Sequence, residues 1–327
     1  MRGVSVTFAG SRGRVESQLV PDAGFELDTF AVSGFPRKAG FGLVRAAWQA
    51  TCAPFACWQI LKRRRPDVVL GGGGYVAGPM VLAARARGIP TALTEADAHL
   101  GLANRLAAPL SRRVFLAYAI DGRDGSKYRV VGRPVPVAHL GGERDEARAR
   151  LGLPRGRPVL AVFGGLAGAQ VLNEFAVDAF GASGPAVLHV SGTRDYDALR
   201  PRVSRDDYVL LDSTDDFGAA LAAADLAISR AGGTVWELAA AGTPAILVPY
   251  PHATADHQTL NARHFEAGGG AIVVDQSDIG SVPALIEDLL ADSGRLAAMS
   301  EAMRALAKPD AAEVIADELV ALAEAGR

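Results

Sequence analysis

The sequence predicts an α/β protein built from two doubly wound, Rossmann-like domains, and three observations carry that expectation. Short β-rich runs alternate with Ala-, Leu- and Arg-rich helical stretches, the rhythm of a parallel sheet covered on both faces. Three of the strand ends lead into glycine-rich turns followed by a helix start, at Leu70–Pro79, Phe163–Gln170 and Ser229–Glu237. The alternation pauses once, at Val130–Val137 (VVGRPVPV), where closely spaced prolines exclude helix and favour an extended connection.

In the first series, VSVTFAG reads as a strand, Val15–Asp22 as a helix, FELDTFAV as a strand, and Leu43–Arg65 as a long helix. DVVLGGGG, a helix over Gly78–Arg87 and PTALTEA complete it. The second series runs helix Arg144–Leu151, strand PVLAVFGG, helix Ala169–Phe180, strand AVLHVSG, helix Asp197–Val203, strand YVLLDS, helix Phe217–Ala223 and strand LAISR. A helix opening near Thr234 and the strand AILVPY follow. These series predict domains over 1–133 and 134–310, and a last helix (Ala311–Ala325) that, within 311–327, packs back across the junction. In doubly wound sheets ligands bind outside the carboxyl ends of the strands, here expected to face a cleft.

A length of 327 residues suits two domains, each with its own core. A formal charge of −2 gives no general reason to bind nucleic acid. No apolar run approaches the ~18 to 20 residues that span a bilayer, and MRGVSVTFAGS enters a strand without the charged, apolar and cleavage regions of a signal peptide. Cys52 and Cys57 lie five apart on a predicted helix, on different faces, with no other cysteine to complete a zinc site; they are expected to be buried, reduced thiols of a cytoplasmic protein.

The richest segment is Ser229–Asn261, SRAGGTVWELAAAGTPAILVPYPHATADHQTLN. Gly232 and Gly233 let backbone approach an anion, and the helix start at Thr234 offers N–H groups with a partial positive charge, a combination suited to a nucleotide diphosphate. Glu237, one turn in, could accept hydrogen bonds from a ribose diol; Thr234-x-x-Glu237 equally fits a capping box. Gly164, Gly165 and Gly168 form a second phosphate-sized loop. Asp256, His257, Gln258 and Asn261 are groups that select sugar hydroxyls, or else a solvated helix start. Glu95, Asp97, His99 and Asn104 follow a strand as acid/base or metal-ligand candidates, or as a capped loop. Asp195-x-Asp197 matches a metal-holding D-x-D pattern but sits where a helix N-cap is expected. Ser33–Trp48 mixes Phe35, Phe41, Leu43, Val44 and Trp48 with Arg37, Lys38 and Arg45, which suits either a monotopic contact with anionic lipid or a core helix with a basic rim.

With these motifs in order, the chain resembles the MurG family of bacterial N-acetylglucosaminyltransferases. The likeness runs through LVPDAGFELDTFAVSG, DVVLGGGGYVAGP, the Glu95 loop, VVGRPV, FGGLAGAQVLNE, the Ser229–Asn261 segment and KPDAAEVIADEL. It implies a GT-B fold and metal-independent, inverting transfer of N-acetylglucosamine from its UDP donor to a polyprenyl-diphosphate-linked muramyl-pentapeptide, with no cofactor. It also implies a peripheral position at the cytoplasmic face of the membrane. By position, Gly164, Gly165 and Gly168 resemble the diphosphate loop, Arg230, Gly232, Gly233 and Thr234 the nucleotide-binding turn, and Glu237 the ribose ligand. His257, Gln258 and Asn261 fall where the family contacts the sugar, and Gly73, Gly74 and Tyr75 resemble its acceptor-side loop.

The sequence also departs from the family. The first βα unit, with a histidine-bearing glycine loop, has no counterpart, so the N-terminal sheet is expected to lack a central strand and to expose apolar surface. Leu166 and Ala167 replace a Ser-Gln pair, and Arg133 and Pro136 replace the Asn and Arg of the linker. Glu95, Asp97 and His99 are the surviving base candidates. A UDP-N-acetylglucosamine 2-epimerase, or a split sugar-nucleotide-binding subunit needing a partner, are the rival readings.

Overall fold

The computed structural model describes residues 3–33, 41–140, 142–165 and 168–326, apart from the side chains of 41–45 and 47. The chain divides into two compact units. Unit 1 comprises residues up to Glu95, Leu100–Val130 and the chain from Glu313 onward; unit 2 comprises Ala96–His99 and Val131–Ala312.

Unit 1 contains strands β1 (Thr7–Ser11), β2 (Glu26–Phe30), β3 (Val69–Gly71), β4 (Thr91–Glu95), β5 (Arg113–Leu116) and β6 (Tyr128–Val130). Its helices are α1 (Glu16–Asp22), α2 (Phe41–Arg64), α3 (Gly74–Ala86) and α4 (Leu102–Ala107). All pairings are parallel, but the strands form two separate sheets, β1-β2 and β3-β4-β5-β6. The expectation of a sheet short of a central strand therefore meets an interrupted one. Both sheets share one apolar layer, in which Phe30, Cys57, Leu61 and Met80 are buried with Ala9 and Val69 packed against them. The opposite side is poorly covered at β1 and β3, where Phe8 and Leu70 are 40% and 42% exposed and α1 buries no residue, while Ala92 on β4 and Phe115 on β5 are buried. Doubly wound strands normally bury both faces.

Helix α3 begins four residues before the expected Gly78 because Gly73 and Gly74, at φ of +87° and +65°, turn the chain directly into it. Cys57 is buried, and desolvation pushes its thiol up to about 12; Cys52 is exposed, contrary to expectation, because it faces away from that layer.

Unit 2 contains α5 (Arg144–Arg150), β7 (Val159–Phe163), α6 (Gln170–Phe180), β8 (Ala186–Val190), α7 (Tyr196–Leu199), β9 (Tyr208–Leu211), α8 (Phe217–Ala223) and β10 (Leu226–Ser229). There follow α9 (Thr234–Ala241), β11 (Ala245–Leu247), α10 (His257–Ala267), β12 (Ala271–Val273), α11 (Val282–Ala291) and α12 (Ser293–Leu306). Helix α13 (Ala311–Glu324) returns to unit 1, where Glu318 accepts hydrogen bonds from Arg113 Nε at 3.1 Å and from Arg129 Nη1 at 2.5 Å. The six strands of unit 2 form one parallel sheet in the order β12-β11-β10-β7-β8-β9. Every residue of β7 and β10 is buried, as continuous apolar central strands must be. The chain starts at β7 in the middle, winds outward through β8 and β9, then returns to the other side at β10. The switch point therefore lies between β7 and β10, where a doubly wound sheet opens a crevice at its carboxyl ends.

Candidate donor site of unit 2

Two glycine turns meet at that switch point. After β7, Gly165 and Gly168 take φ of +82° and +68°, and a Cβ on Gly164 would stand 2.2 Å from Ala169 N. A Cβ on Gly168 would lie 2.1 Å from Ser191 O, so no other residue fits there without moving the backbone. Leu166 and Ala167 lie outside the described residues.

The seat beneath this loop is a buried network. Asn173 Nδ2 donates to Ser191 O at 2.9 Å and to Asp195 Oδ2 at 2.8 Å, which leaves its Oδ1 to accept from His189 Nε2 at 3.0 Å. With Nε2 protonated, His189 Nδ1 accepts from Tyr208 Oη at 2.8 Å. Burial pushes the imidazole down to about 4, so it stays neutral. Asp195 also takes two hydrogen bonds from Arg194. It stands at the N-cap position of α7 without capping it through its side chain, which corrects the expected cap: Arg194 and Asn173 hold the carboxylate instead.

After β10, Arg230–Gly233 lead into α9. Gly233 is its N-cap residue and Thr234 its first helical residue, so the Thr-Glu pair is one position out of register for a capping box. Gly232 is open above its Cα, whereas a Cβ on Gly233 would meet the Arg133 guanidinium at 2.3 Å. The linker residue Arg133 thus lays a positive charge against the helix start. Glu237, about four-fifths buried, accepts at Oε1 a 2.7 Å hydrogen bond from His139 Nδ1, at the end of the turn Val137–His139. A carboxylate only accepts, so Nδ1 carries the proton.

Other predicted residues turn out to hold the framework. Arg230 is buried, donates to Val248 O (3.0 Å), Pro249 O (3.1 Å) and Gln276 Oε1 (2.6 Å), and lies over the Tyr250 ring. Desolvation lowers its pKa. Its guanidinium clamps the chain at the end of β11. Asn261, buried on α10, accepts from Ala98 N at 2.7 Å and donates to Asp97 Oδ1 (3.0 Å) and Ala231 O (3.1 Å). It ties the 96–99 segment to the glycine turn after β10. Gln258 Oε1 accepts from Tyr250 N at 2.8 Å and His257 Nδ1 donates to Thr254 O at 3.0 Å, closing the loop after β11. Within that loop Ala255 and Asp256 take φ of +53° and +52°, strained values for side-chain-bearing residues.

In unit 1, Glu95 Oε2 accepts from Gly101 N and Asn104 Nδ2, both at 2.9 Å, and Asn104 Nδ2 also donates to Thr94 O at 2.9 Å. A Cβ on Gly73 would stand 3.4 Å from Asn104 Nδ2, so the glycine run, Asn104 and Glu95 gather at the ends of β3 and β4. Tyr75 is 37% exposed there. Among the described residues, no group of three or more His, Cys, Asp or Glu could hold a metal ion.

The contribution of His139 is absent from the sequence expectations. It lies 98 residues from Glu237, and its only local signal is a histidine after the prolines of the linker.

Profiles of the Glycosyltransferase family 28 N-terminal and C-terminal domains match residues 1–116 and 159–315. The UDP-N-acetylglucosamine–N-acetylmuramyl-(pentapeptide) pyrophosphoryl-undecaprenol N-acetylglucosamine transferase of Salinibacter ruber is 38% identical over 333 residues, covering 98% of this chain and 89% of that protein. The crystal structure of Acinetobacter baumannii MurG superposes with a TM-score of 0.77 at 28% identity, covering 96% of this chain and 90% of that one. A UDP-GlcNAc 2-epimerase from Neisseria meningitidis, bound to UDP-GlcNAc, matches with a TM-score of 0.64 over 96% of this chain and 91% of that one. At 13% identity it shares the fold alone.

Proposed function

The chain belongs to glycosyltransferase family 28, and on that premise we propose that it transfers N-acetylglucosamine from UDP-N-acetylglucosamine to an undecaprenyl-diphosphate-linked muramoyl-pentapeptide in peptidoglycan synthesis. The observation that supports this reading is the pairing of two glycine turns with the largely buried carboxylate of Glu237 at the switch point of the unit 2 sheet.

Backbone N–H groups of Gly164, Gly165 and Gly168 and of the α9 start, with Arg133 beside them, receive the diphosphate. Glu237 receives the ribose. As the acceptor hydroxyl attacks the anomeric carbon, the bond from that carbon to the diphosphate oxygen breaks, and UDP leaves with its new charge met by those fixed donors. Attack from the face opposite the leaving group inverts the centre. The hydroxyl proton passes to a base sought among Glu95, Asp97 and His99. Glu95 and Asp97 already accept framework hydrogen bonds, so His99 is the base this reading favours. His257 and Gln258 line the sugar side through the loop they close, and Gly73, Gly74 and Tyr75 form the acceptor-side loop of unit 1. UDP-N-acetylglucosamine is substrate, and no resident cofactor or metal is required; transfer is expected to survive EDTA.

The lipid end of the acceptor places the protein peripherally at the cytoplasmic membrane face. No helix among the described residues is long and apolar enough to cross a membrane. Residues 34–40 of the predicted lipid-contact segment, and the side chains of Phe41, Leu43, Val44 and Arg45 within it, lie outside the described residues, but Trp48 and Phe55, seven apart on α2, are 71% and 69% exposed. Leu102 and Leu106, four apart on α4, are exposed as well, with exposed Arg105 between them. Exposed apolar side chains, on α4 with a cation between them, suit adsorption to anionic lipid.

Incubation with labelled UDP-N-acetylglucosamine and a lipid-linked muramoyl-pentapeptide tests the activity. A disaccharide-lipid product is expected, falling roughly ten- to a hundredfold at subsaturating donor in Glu237→Ala, for about 1 to 3 kcal/mol of unpaired ribose hydroxyls. Release of an epimerised sugar nucleotide without transfer would overturn the reading.

A further inference from the structure

We propose that His139 is a positioning residue for donor recognition: its Nδ1–H holds Glu237 in the rotamer that meets the ribose diol. The proposal rests on the reading of Glu237 as the ribose ligand and adds the group that orients it.

A glutamate in the first turn of a helix is free to rotate about its side-chain bonds, and ordering it on a ligand costs entropy. In this chain that freedom is already removed. The His139 bond fixes Oε1, and both side chains are about four-fifths buried. An ionised carboxylate has about four acceptor positions. His139 occupies one, leaving Oε2 and the second lone pair of Oε1 for the two hydroxyls of a vicinal diol.

The imidazole is in turn held from two sides. Its ring packs edge-on against Phe217 with centroids 5.5 Å apart, and Phe217 packs edge-on against Phe163, the last residue of β7, at 5.2 Å. The backbone beneath it is fixed by the His139 N–H bond to Pro136 O at 2.9 Å. Ala138 O lies where a Cβ on Gly218 would stand, 2.2 Å away, so α8 admits the linker turn only because position 218 is glycine. The linker, the glycine loop after β7 and the diol ligand on α9 are therefore one packed assembly. Through it the linker takes part in ribose selection as well as joining domains.

The test compares calorimetric affinities of the full chain for UDP and 2′-deoxy-UDP. The unmodified protein is expected to prefer UDP by about tenfold or more, the value of a well-oriented hydrogen bond to a charged group. His139→Phe keeps the edge contact with Phe217 but removes the donor. It should lower UDP affinity by about tenfold and 2′-deoxy-UDP, which keeps one hydroxyl on Glu237, by clearly less, so that the preference collapses. His139→Asn, whose amide N–H can stand in for Nδ1–H, should restore it. A merely structural role would weaken both nucleotides together in His139→Phe, and that result would overturn the proposal, as would a ribose preference that survives in this variant. Equal binding of the two nucleotides by the unmodified protein would instead overturn the ribose assignment of Glu237, and the role of His139 with it.

Discussion

At the scale of single residues, charge placement decides what the proposed donor site would hold. The Arg133 guanidinium lies against Gly233 at the start of α9, where the helix dipole already favours an anion. A cation there adds to diphosphate binding but not to nucleoside binding. Arg133→Met is expected to weaken UDP by about ten- to thirtyfold, or ~1.4 to 2 kcal/mol, and to leave uridine unaffected, as read by calorimetry. Equal losses for both would mean that Arg133 only packs. His189 makes a different prediction. Its folded pKa is lowered to about 4, against an unfolded value near 6.5. Above that unfolded value the imidazole is neutral in both states, and its burial carries no proton penalty. As pH falls from there toward the folded value, the unfolded chain binds a proton that the folded one refuses, and stability drops by up to about 1.4 kcal/mol per pH unit. Nuclear magnetic resonance should find no His189 titration above pH ~5; a midpoint near 6.5 would contradict its neutral role under the glycine loop.

At the scale of elements, much of the molecule was legible because its signals are local. Glycine turns at strand ends, continuous apolar strands such as Val159–Phe163, and proline-marked breaks read directly from the sequence, and the helix over Phe217–Ala223 stands as expected. Strands β5, β6 and β12 span only three or four residues, too few for a period to show. Helices α11 and α12 carry their apolar spacing in Val282, Ile286 and Leu289, then Met299 and Met303, yet follow each other without the strand that an alternating rhythm leads one to expect. The side-chain partners in the site were not legible, since Glu237 with His139 and Asn261 with Asp97 are joined only by the fold. Element pairing also sets local stability. Strands β1 and β2 pair only with each other among the described residues, and α1 adds no buried side chain. A two-stranded sheet is marginal alone. Backbone amides of β1 and β2 are expected to exchange at least tenfold faster than those of β7 and β10 by mass-resolved hydrogen exchange. Equal protection would mean that the interrupted sheet is as cooperative as the complete one.

At the scale of the whole molecule, the two units divide the labour. Unit 2 carries an uninterrupted six-stranded sheet with both glycine turns of the proposed donor site, while unit 1 carries the exposed apolar pairs Trp48/Phe55 and Leu102/Leu106. Adsorption to vesicles containing phosphatidylglycerol is expected to fall at least tenfold when Trp48 and Phe55 are both changed to Ser, since each large apolar side chain left in water forgoes about 1.5 to 3 kcal/mol. Unchanged adsorption would place the lipid contact elsewhere. Where the donor sits decides whether Glu237 and the two glycine turns form its site. A crystal structure of the protein with UDP-N-acetylglucosamine should show the diphosphate against the backbone N–H groups of Gly164, Gly165, Gly168 and Thr234. It should show both ribose hydroxyls at about 2.6 to 2.8 Å from Glu237, with His139 still bound to the same carboxylate. A nucleotide bound away from the ends of β7 and β10, or a ribose that makes no contact with Glu237, would contradict that assignment.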